Sequence, residues 1–326
     1  MPERNSPLSG ILTALGAFAL FSAHDVVIKM LGGGYAVFQI VFFSVLFTFP
    51  LVSFMLLRDE EVGTLIPRHP WWSALRTVSA VITGFSAFYA FSNLPLAQVY
   101  AILFASPLVI TVLAIPILGE RVGIHRGAAV VVGLAGVLVV LRPGGTDLAL
   151  GHAAALAAAV FGGLTSVIVR KIGREERAAV LMLYPMMANF LVMGALLPFV
   201  YVPMPLGDVG LWVLMAALAF LAGLGMIQAY RRADAVLVAP MQYSQILWAA
   251  FYGWLFFDEG VDGGTAVGAA IIIASGLYIV LREGRGGRSA NTPVLRTRSR
   301  PETGTAPRIG RMLSEEARSV HVRPRP

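Results

Sequence analysis

Ten apolar runs, each close to the length that crosses a bilayer, constrain this chain more than any other feature. They fall at about 8–30, 35–57, 72–92, 96–117, 123–141, 149–170, 179–200, 208–230, 236–256 and 262–281. A spanning helix needs roughly 20 mostly apolar residues. The runs are separated by short turns rich in Gly, Pro and charge, such as Gly32-Gly33-Gly34 and Arg142-Pro143-Gly144-Gly145. Runs this long and continuous are helices, because strands of a membrane barrel would be about 10 residues of alternating polarity. Only 13% of residues are charged and 57% are hydrophobic, whereas a soluble domain carries about 25% charged residues. A soluble fold of this size could not hide that much apolar surface, so the lipid bilayer is a partner of the chain.

The first run starts by Leu8 without a small-residue cleavage site after it, and reads as a retained span. There is no cysteine, which excludes a disulfide framework and thiolate metal sites. The net charge of +7 is uneven: residues 1–281 hold 14 basic and 14 acidic residues, and the tail from Arg282 to Pro326 holds 11 Arg and 4 acids. From about Glu283 onward Arg, Pro, Gly, Ser and Thr dominate, which fits a disordered tail. Attraction to anionic lipid is open to such a tail, but its simplest reading is a solvated positive-inside anchor that takes no nucleic acid.

Lys and Arg in the short loops set the orientation. With the N-terminus in the cytoplasm, the inside loops hold Arg4, Arg58, Arg68, Arg121, Arg126, Arg170, Lys171, Arg174, Arg177, Arg231 and Arg232. The outside loops hold only Lys29 and Arg142, and Arg76 lies inside the third run. Both termini are therefore expected to be cytoplasmic, in a bacterial inner (plasma) membrane.

The chain also repeats itself. Residues 91–108 lie over 230–247 at an offset of 139, and Glu120 lies over Glu259. Residues 136–144 lie over 276–284 at offset 140, and residues 26–32 over 167–173 at offset 141, which places Lys29 on Arg170. Three ordered matches at nearly constant offset indicate two similar five-span halves. Five is odd, so the second half enters the membrane upside down relative to the first. Inverted repeats of this kind are a device of secondary transporters, which bind solute near the midplane between repeats. The expected organisation is a short N-terminus over 1–7, one repeat over 8–144, a second over 145–283, and the tail over 284–326.

Several motifs resemble a known family. Leu94-Pro95-Leu96-Ala97, Phe104-Ala105-Ser106-Pro107-Leu108, Leu118-Gly119-Glu120-Arg121-Val122 and Leu141-Arg142-Pro143-Gly144 are similar to the signature of EamA-type members of the drug/metabolite transporter superfamily. Val238-Ala239-Pro240, Tyr243 and Leu255-Phe256-Phe257-Asp258-Glu259 resemble the partner repeat. The resemblance covers about residues 8–283 and implies ten spans, cytoplasmic termini and inverted halves. Many relatives carry an Arg in the second span, where this chain has Val41-Phe42-Phe43-Ser44; Ser44 holds that place, so no role of that Arg carries over. Ala23-His24-Asp25-Val26 with Lys29 bears a partial resemblance to importers of S-adenosylmethionine.

Ionisable groups inside a membrane cost about 2.5–3.5 kcal/mol each on insertion scales. His24 and Asp25 in the first span and Arg76 in the third therefore stand out as groups that bind substrate or a coupling proton. Lys29 lies one turn after Asp25, where an ion pair that only fixes packing is the competing role. In the ninth span Gln242, Tyr243, Gln245 and Trp248 can hydrogen-bond or stack on a solute, or act as interhelical glue. Gln228, Tyr230, Tyr89 and Tyr100 are further candidates for the cavity. Pro107 and Pro240 interrupt their spans and are candidate hinges. Glu120 and Glu259 are repeat-related, end their spans on opposite faces and are candidate gate latches. Gly133 with Gly136, and Gly264 with Gly268, look like close-packing surfaces.

Catalytic signals are absent. The five His, at 24, 69, 125, 152 and 321, include no metal-ligand spacing on one helix. There is no phosphate loop, so ATP hydrolysis is not expected, and no cofactor or metal is implied. The chain reads as a secondary carrier for a small polar or zwitterionic metabolite, with S-adenosylmethionine fitting the His, Asp, amide and aromatic mixture. Export of amino acids or drugs is the alternative within that class. A lipid-modifying membrane enzyme or a non-transporting structural or sensor subunit are the alternatives outside it.

Overall fold

A computed structural model describes residues 7–56, 64–120, 122–142, 149–173, 175–233 and 235–285. The N-terminal segment and the basic tail expected above, with Arg4, Arg58, Arg121 and Arg174 of the loop count, lie outside the described residues. The helices are α1 (Pro7–Gly32), α2 (Val37–Leu56), α3 (Pro70–Asn93), α4 (Leu96–Leu103), α5 (Ser106–Leu118), α6 (Ile124–Leu141), α7 (Leu150–Ile172), α8 (Ala178–Val200), α9 (Leu206–Arg232), α10 (Ala235–Val238), α11 (Gln245–Phe257) and α12 (Gly263–Arg285). A 3-10 segment, Ala239–Ser244, joins α10 to α11, and there is no strand among the described residues.

Seven helices, counting α4 with α5 as one, are long and apolar enough to cross a membrane; the apolar parts of α2 and α12 are shorter. Large side chains such as Leu191, Phe199 and Leu247 are exposed on their outer faces, as expected where lipid is the solvent.

The repeat is visible in the interruptions. α5 and α11 begin at Ser106 and Gln245 and end at Leu118 and Phe257, both pairs 139 residues apart. Pro107 and Pro240 stand in the first turn of the segments they open, positions where the missing N–H costs no intrahelical bond. The carbonyl that a Pro at 107 leaves unpaired is that of Leu103, and the Ser106 hydroxyl occupies it at 2.7 Å. After each segment the chain turns through a left-handed residue, Gly119 (φ 70°) and Asp258 (φ 55°). The next N–H, of Glu120 or Glu259, then bonds six residues back, to Ala114 O (3.3 Å) or Gly253 O (3.0 Å).

Packing follows the same exchange of halves. The most extensive helix interfaces are α1 with α9 and its counterpart α7 with α3, while α6 meets its counterpart α12 and α2 meets α8. α6 and α12 cross at glycine: a methyl group on Gly136 would lie 3.0 Å from Gly268 O, and one on Gly268 2.7 Å from Gly136 O. The end loops match too. At one end Gln39 of the first half clamps Val202, donating to its carbonyl at 2.8 Å and accepting from its N–H at 2.9 Å. Beside it Tyr35 donates to Asp208, and that bond, with burial and the Asp208 charge adding, pushes the phenol up to about 12. At the other end His69 of the first half meets the α7–α8 connection, its N–H on Glu176 (2.6 Å) and its Nε2 on Glu175 (2.7 Å).

Candidate functional site

α1 carries two ionisable residues into the protein interior, and their neighbours come from both halves. His24 and Asp25 are 1% and 0% exposed. His24 Nδ1 lies 2.8 Å from Asp25 Oδ1. Tyr100 of α4 donates its hydroxyl to the other carboxylate oxygen. Gln245, the first residue of α11, donates Nε2 to the Tyr100 oxygen at 3.1 Å, and Ser22 approaches it at 3.4 Å. This donor order is self-consistent: the single Tyr100 proton goes to the carboxylate, and the phenol oxygen accepts from the amide and the Ser22 hydroxyl. A carboxylate oxygen facing His24 Nδ1 requires the proton on Nδ1. His24 Nε2 then carries a lone pair in the neutral ring, and it is buried without a hydrogen-bond partner. An unpaired buried acceptor costs about 1–3 kcal/mol, so this atom is where a ligand N–H or a proton would be stabilised.

Aromatic rings surround the cluster. Phe88 stands edge-on to His24 (centroids 6.2 Å apart), Phe91 edge-on to Tyr100 (5.3 Å), and Phe104 leads on to Tyr243 (5.1 Å). The arrangement offers one acid, one imidazole and one phenol within ring faces, a chemistry suited to a cationic or ring-bearing solute.

The other sequence candidates scatter. Trp248, one turn beyond Gln245, stacks on Tyr252 and buries an unpaired indole N–H. Tyr243 presses its hydroxyl end on α12, where a methyl group at Gly276 would lie 1.9 Å from it, so its place is interhelical packing. Gln242 lies half-buried in the 3-10 segment, and Gln228 is exposed on α9, away from the cluster. Tyr230 packs with Phe18 and Phe21. Tyr89 stacks on Phe85, which meets Phe38 of α2.

Arg76 is buried, with an unpaired Nε. A methyl group on Gly32 would touch Ser92, so those levels of α1 and α3 coincide. At 1.5 Å per residue Arg76 then sits roughly 13 Å along the bundle axis from Asp25, too far to join its hydrogen bonds.

Two ion pairs were not legible as pairs. Lys29 Nζ reaches Glu259 Oε1 at 2.5 Å and Leu94 O at 2.5 Å. Arg170 pairs with Glu120. The signal lay in the repeat offset, which places Lys29 on Arg170 and Glu120 on Glu259. Ser22 of the cluster gave no signal, since a lone serine in an apolar run is ordinary.

The comparisons with known proteins agree with this architecture. The chain is 28% identical over 245 residues to a riboflavin transporter of Rhizobium johnstonii, covering 74% of this chain and 79% of that one. It is 25% identical over 284 residues to an S-adenosylmethionine uptake transporter of Rickettsia conorii, covering 86% and 96%. It is 27% identical over 271 residues to a pseudopaline exporter of Pseudomonas aeruginosa, covering 82% and 94%. A crystal structure superposes with a TM-score of 0.54 at 20% identity, over 82% of this chain and 96% of that one, and speaks for the fold. The model of the EamA-like transporter family matches residues 8–142 and again 149–281, and the chain therefore belongs to that family.

Proposed function

We propose that this small-molecule transporter is a secondary carrier that moves a small polar or zwitterionic metabolite by alternating access between two inverted five-span halves. On this reading α4 with α5, and α10 with α11, each form one interrupted crossing, which makes ten, and both termini are cytoplasmic. The observation that carries it is the buried Asp25–His24–Tyr100–Gln245 cluster, assembled from both halves beside two interrupted helices and leaving His24 Nε2 without a partner. Interrupted helices at the repeat interface are where carriers of this design hold their solute.

An acid and an imidazole among aromatic rings favour a solute with an amine or cation and a ring, of the S-adenosylmethionine kind. The relatives named for S-adenosylmethionine and riboflavin uptake point the same way. The pseudopaline exporter supports a second reading, outward movement of an amino-acid-like solute through the same site. Driving energy comes from a solute gradient, from exchange, or from a proton taken up at His24 and Asp25.

Purified protein screened by thermal shift against nucleosides, amino acids, cofactors and polyamines should be stabilised by one class, since ligands of the folded form raise its stability. That class should then enter proteoliposomes. A screen with no stabilising class and no uptake would leave a structural or sensor subunit as the better account.

A further inference from the structure

Each face of the carrier is closed by an ion pair that joins one half to the other, and the two pairs are repeat copies. Lys29 (α1) and Glu259 (after α11) meet at 2.5 Å, with side chains 13% and 20% exposed. Arg170 (α7) and Glu120 (after α5) meet with side chains 14% and 6% exposed. Both glutamates follow the same left-handed turn and the same N–H bond six residues back. The pairs lie at opposite ends of the molecule. Glu259 Oε2 accepts the N–H of Leu96, where α4 begins, whereas Glu120 follows Leu118, where α5 ends. At 1.5 Å per residue that segment spans roughly 35 Å.

We propose that Lys29–Glu259 and Arg170–Glu120 are reciprocal latches, each of which must break for the solute path to open on its own face. The proposal rests on the carrier reading above. A pair within one half would ride with that half as it rocks, and nothing would break. A pair across the halves is stretched by the movement that opens its face.

The surroundings fit that role. Lys29 also holds Leu94 O at 2.5 Å, so it and Glu259 grip both sides of Pro95 in the first half. On the other face Lys171, next to Arg170, holds Ile117 O at 2.6 Å, again across the halves. Separating a partly buried pair is costly, but an opening face admits water that rehydrates both charges. Two similar latches keep the two open states close in energy, as alternating access requires. The latches differ in one respect: both oxygens of Glu259 are bonded, whereas Glu120 Oε2 has no partner among the described residues.

The absence of cysteine gives a direct test. Ser22, 1% exposed and between the two latches on α1, becomes the single reporter as Ser22→Cys. A membrane-impermeant thiol reagent is applied to right-side-out and to inverted vesicles. Little labelling is expected from either side with both latches intact. Glu259→Gln should raise the labelling rate about tenfold from one side only, and Glu120→Gln about tenfold from the other, a shift of about 1.4 kcal/mol each. The exchange Lys29→Glu with Glu259→Lys should bring labelling back down, which a merely misfolded single variant would not do. Equal labelling from both sides, a rise from the same side in both variants, or no recovery on exchange overturns the proposal. The measurement needs no known solute. Sided labelling in a protein that moves nothing would sink the carrier reading, whereas solute uptake without sided labelling would sink the latches.

Discussion

The two halves agree at their ends and differ at their centres. α5 and α11 start and stop 139 residues apart, and each is followed by a left-handed residue and a glutamate paired across the halves. Seven residues before the end of α1 stand His24 and Asp25; at the matching places in α7 stand Thr165 and Ser166. Those hydroxyls are buried without partners, while the first half concentrates acid, imidazole and phenol at one level. Matching ends serve a symmetric motion, in which each half must do at its own face what the other does. Chemistry at the centre needs only one copy, since the solute binds between the halves and meets both.

The largest expected effect comes from erasing that central difference. Asp25→Asn makes the first half as uncharged at this level as the second, keeps the shape, and removes the anion that Tyr100 and His24 face. Uptake of the stabilising solute should fall to background, at least tenfold, while the purified variant stays monodisperse. Normal transport by this variant would remove Asp25 from the site and make the cluster a packing device.

A smaller effect tests the matching ends. Gly119 occupies the left-handed region without strain, whereas Asp258 holds it with a side chain. Gly119→Ala places a methyl group in open space, so only the backbone conformation opposes it. It should destabilise the protein by about 1 kcal/mol, the lower end of the left-handed penalty for an L-residue. Asp258→Gly should be near neutral, because a short polar side chain already tolerates this region. Thermal unfolding in one detergent compares the two, and equal losses would mean that the turns are not equivalent.

The bilayer period and the 139-residue offset made the architecture legible, since both are properties of residue order. The site was legible only in part. Intramembrane ionisation pointed to His24 and Asp25, and an amide beside a helix restart pointed to Gln245. Which polar groups meet depends on helix rotation and level, which residue order does not encode. Gln228 thus turns out exposed, Tyr243 is packed on Gly276, and Arg76 is far along the axis. Lys29 has an acid one turn away in sequence, yet the partner that fixes it comes from 230 residues later.

The fifth helix of each half begins differently, which yields a weaker pair of predictions. Asp262 caps α12, accepting from Gly264 N (3.0 Å), Thr265 N (3.1 Å) and the Thr265 hydroxyl (2.5 Å), and it pairs with Arg142. Partial burial alone would push its carboxyl up, but the Thr265 and Gly264 bonds and the Arg142 charge outweigh it and hold it below 3.8. Asp262→Ala should cost about 1 kcal/mol, as the loss of a helix cap does. A lowered carboxyl stabilises the fold above its unfolded value and loses that contribution as pH falls through the folded one. The gap between the native protein and Asp262→Ala in thermal scans should therefore be full near neutrality and close at acid pH.

The matching residue before α6 is Gly123, 139 residues earlier, with no side chain to cap the helix. Its backbone, at φ −66° and ψ 156°, already has the extended conformation of a capping residue. A Cβ built there meets nothing within 4 Å, so a side chain enters without strain. Gly123→Asp would supply the first half with the cap that the second half has, and a negative charge at a helix N-terminus is favourable besides. The gain should be a few tenths of a kcal/mol, since glycine is itself a tolerable cap. It should be present at neutral pH and vanish in acid as the new carboxyl takes up a proton. A gain that persists when the carboxyl is neutral would point to a reduced unfolded-state entropy on replacing glycine. No gain at any pH would mean that α6 begins on other contacts, and that the two fifth helices resemble each other only where Gly136 and Gly268 cross.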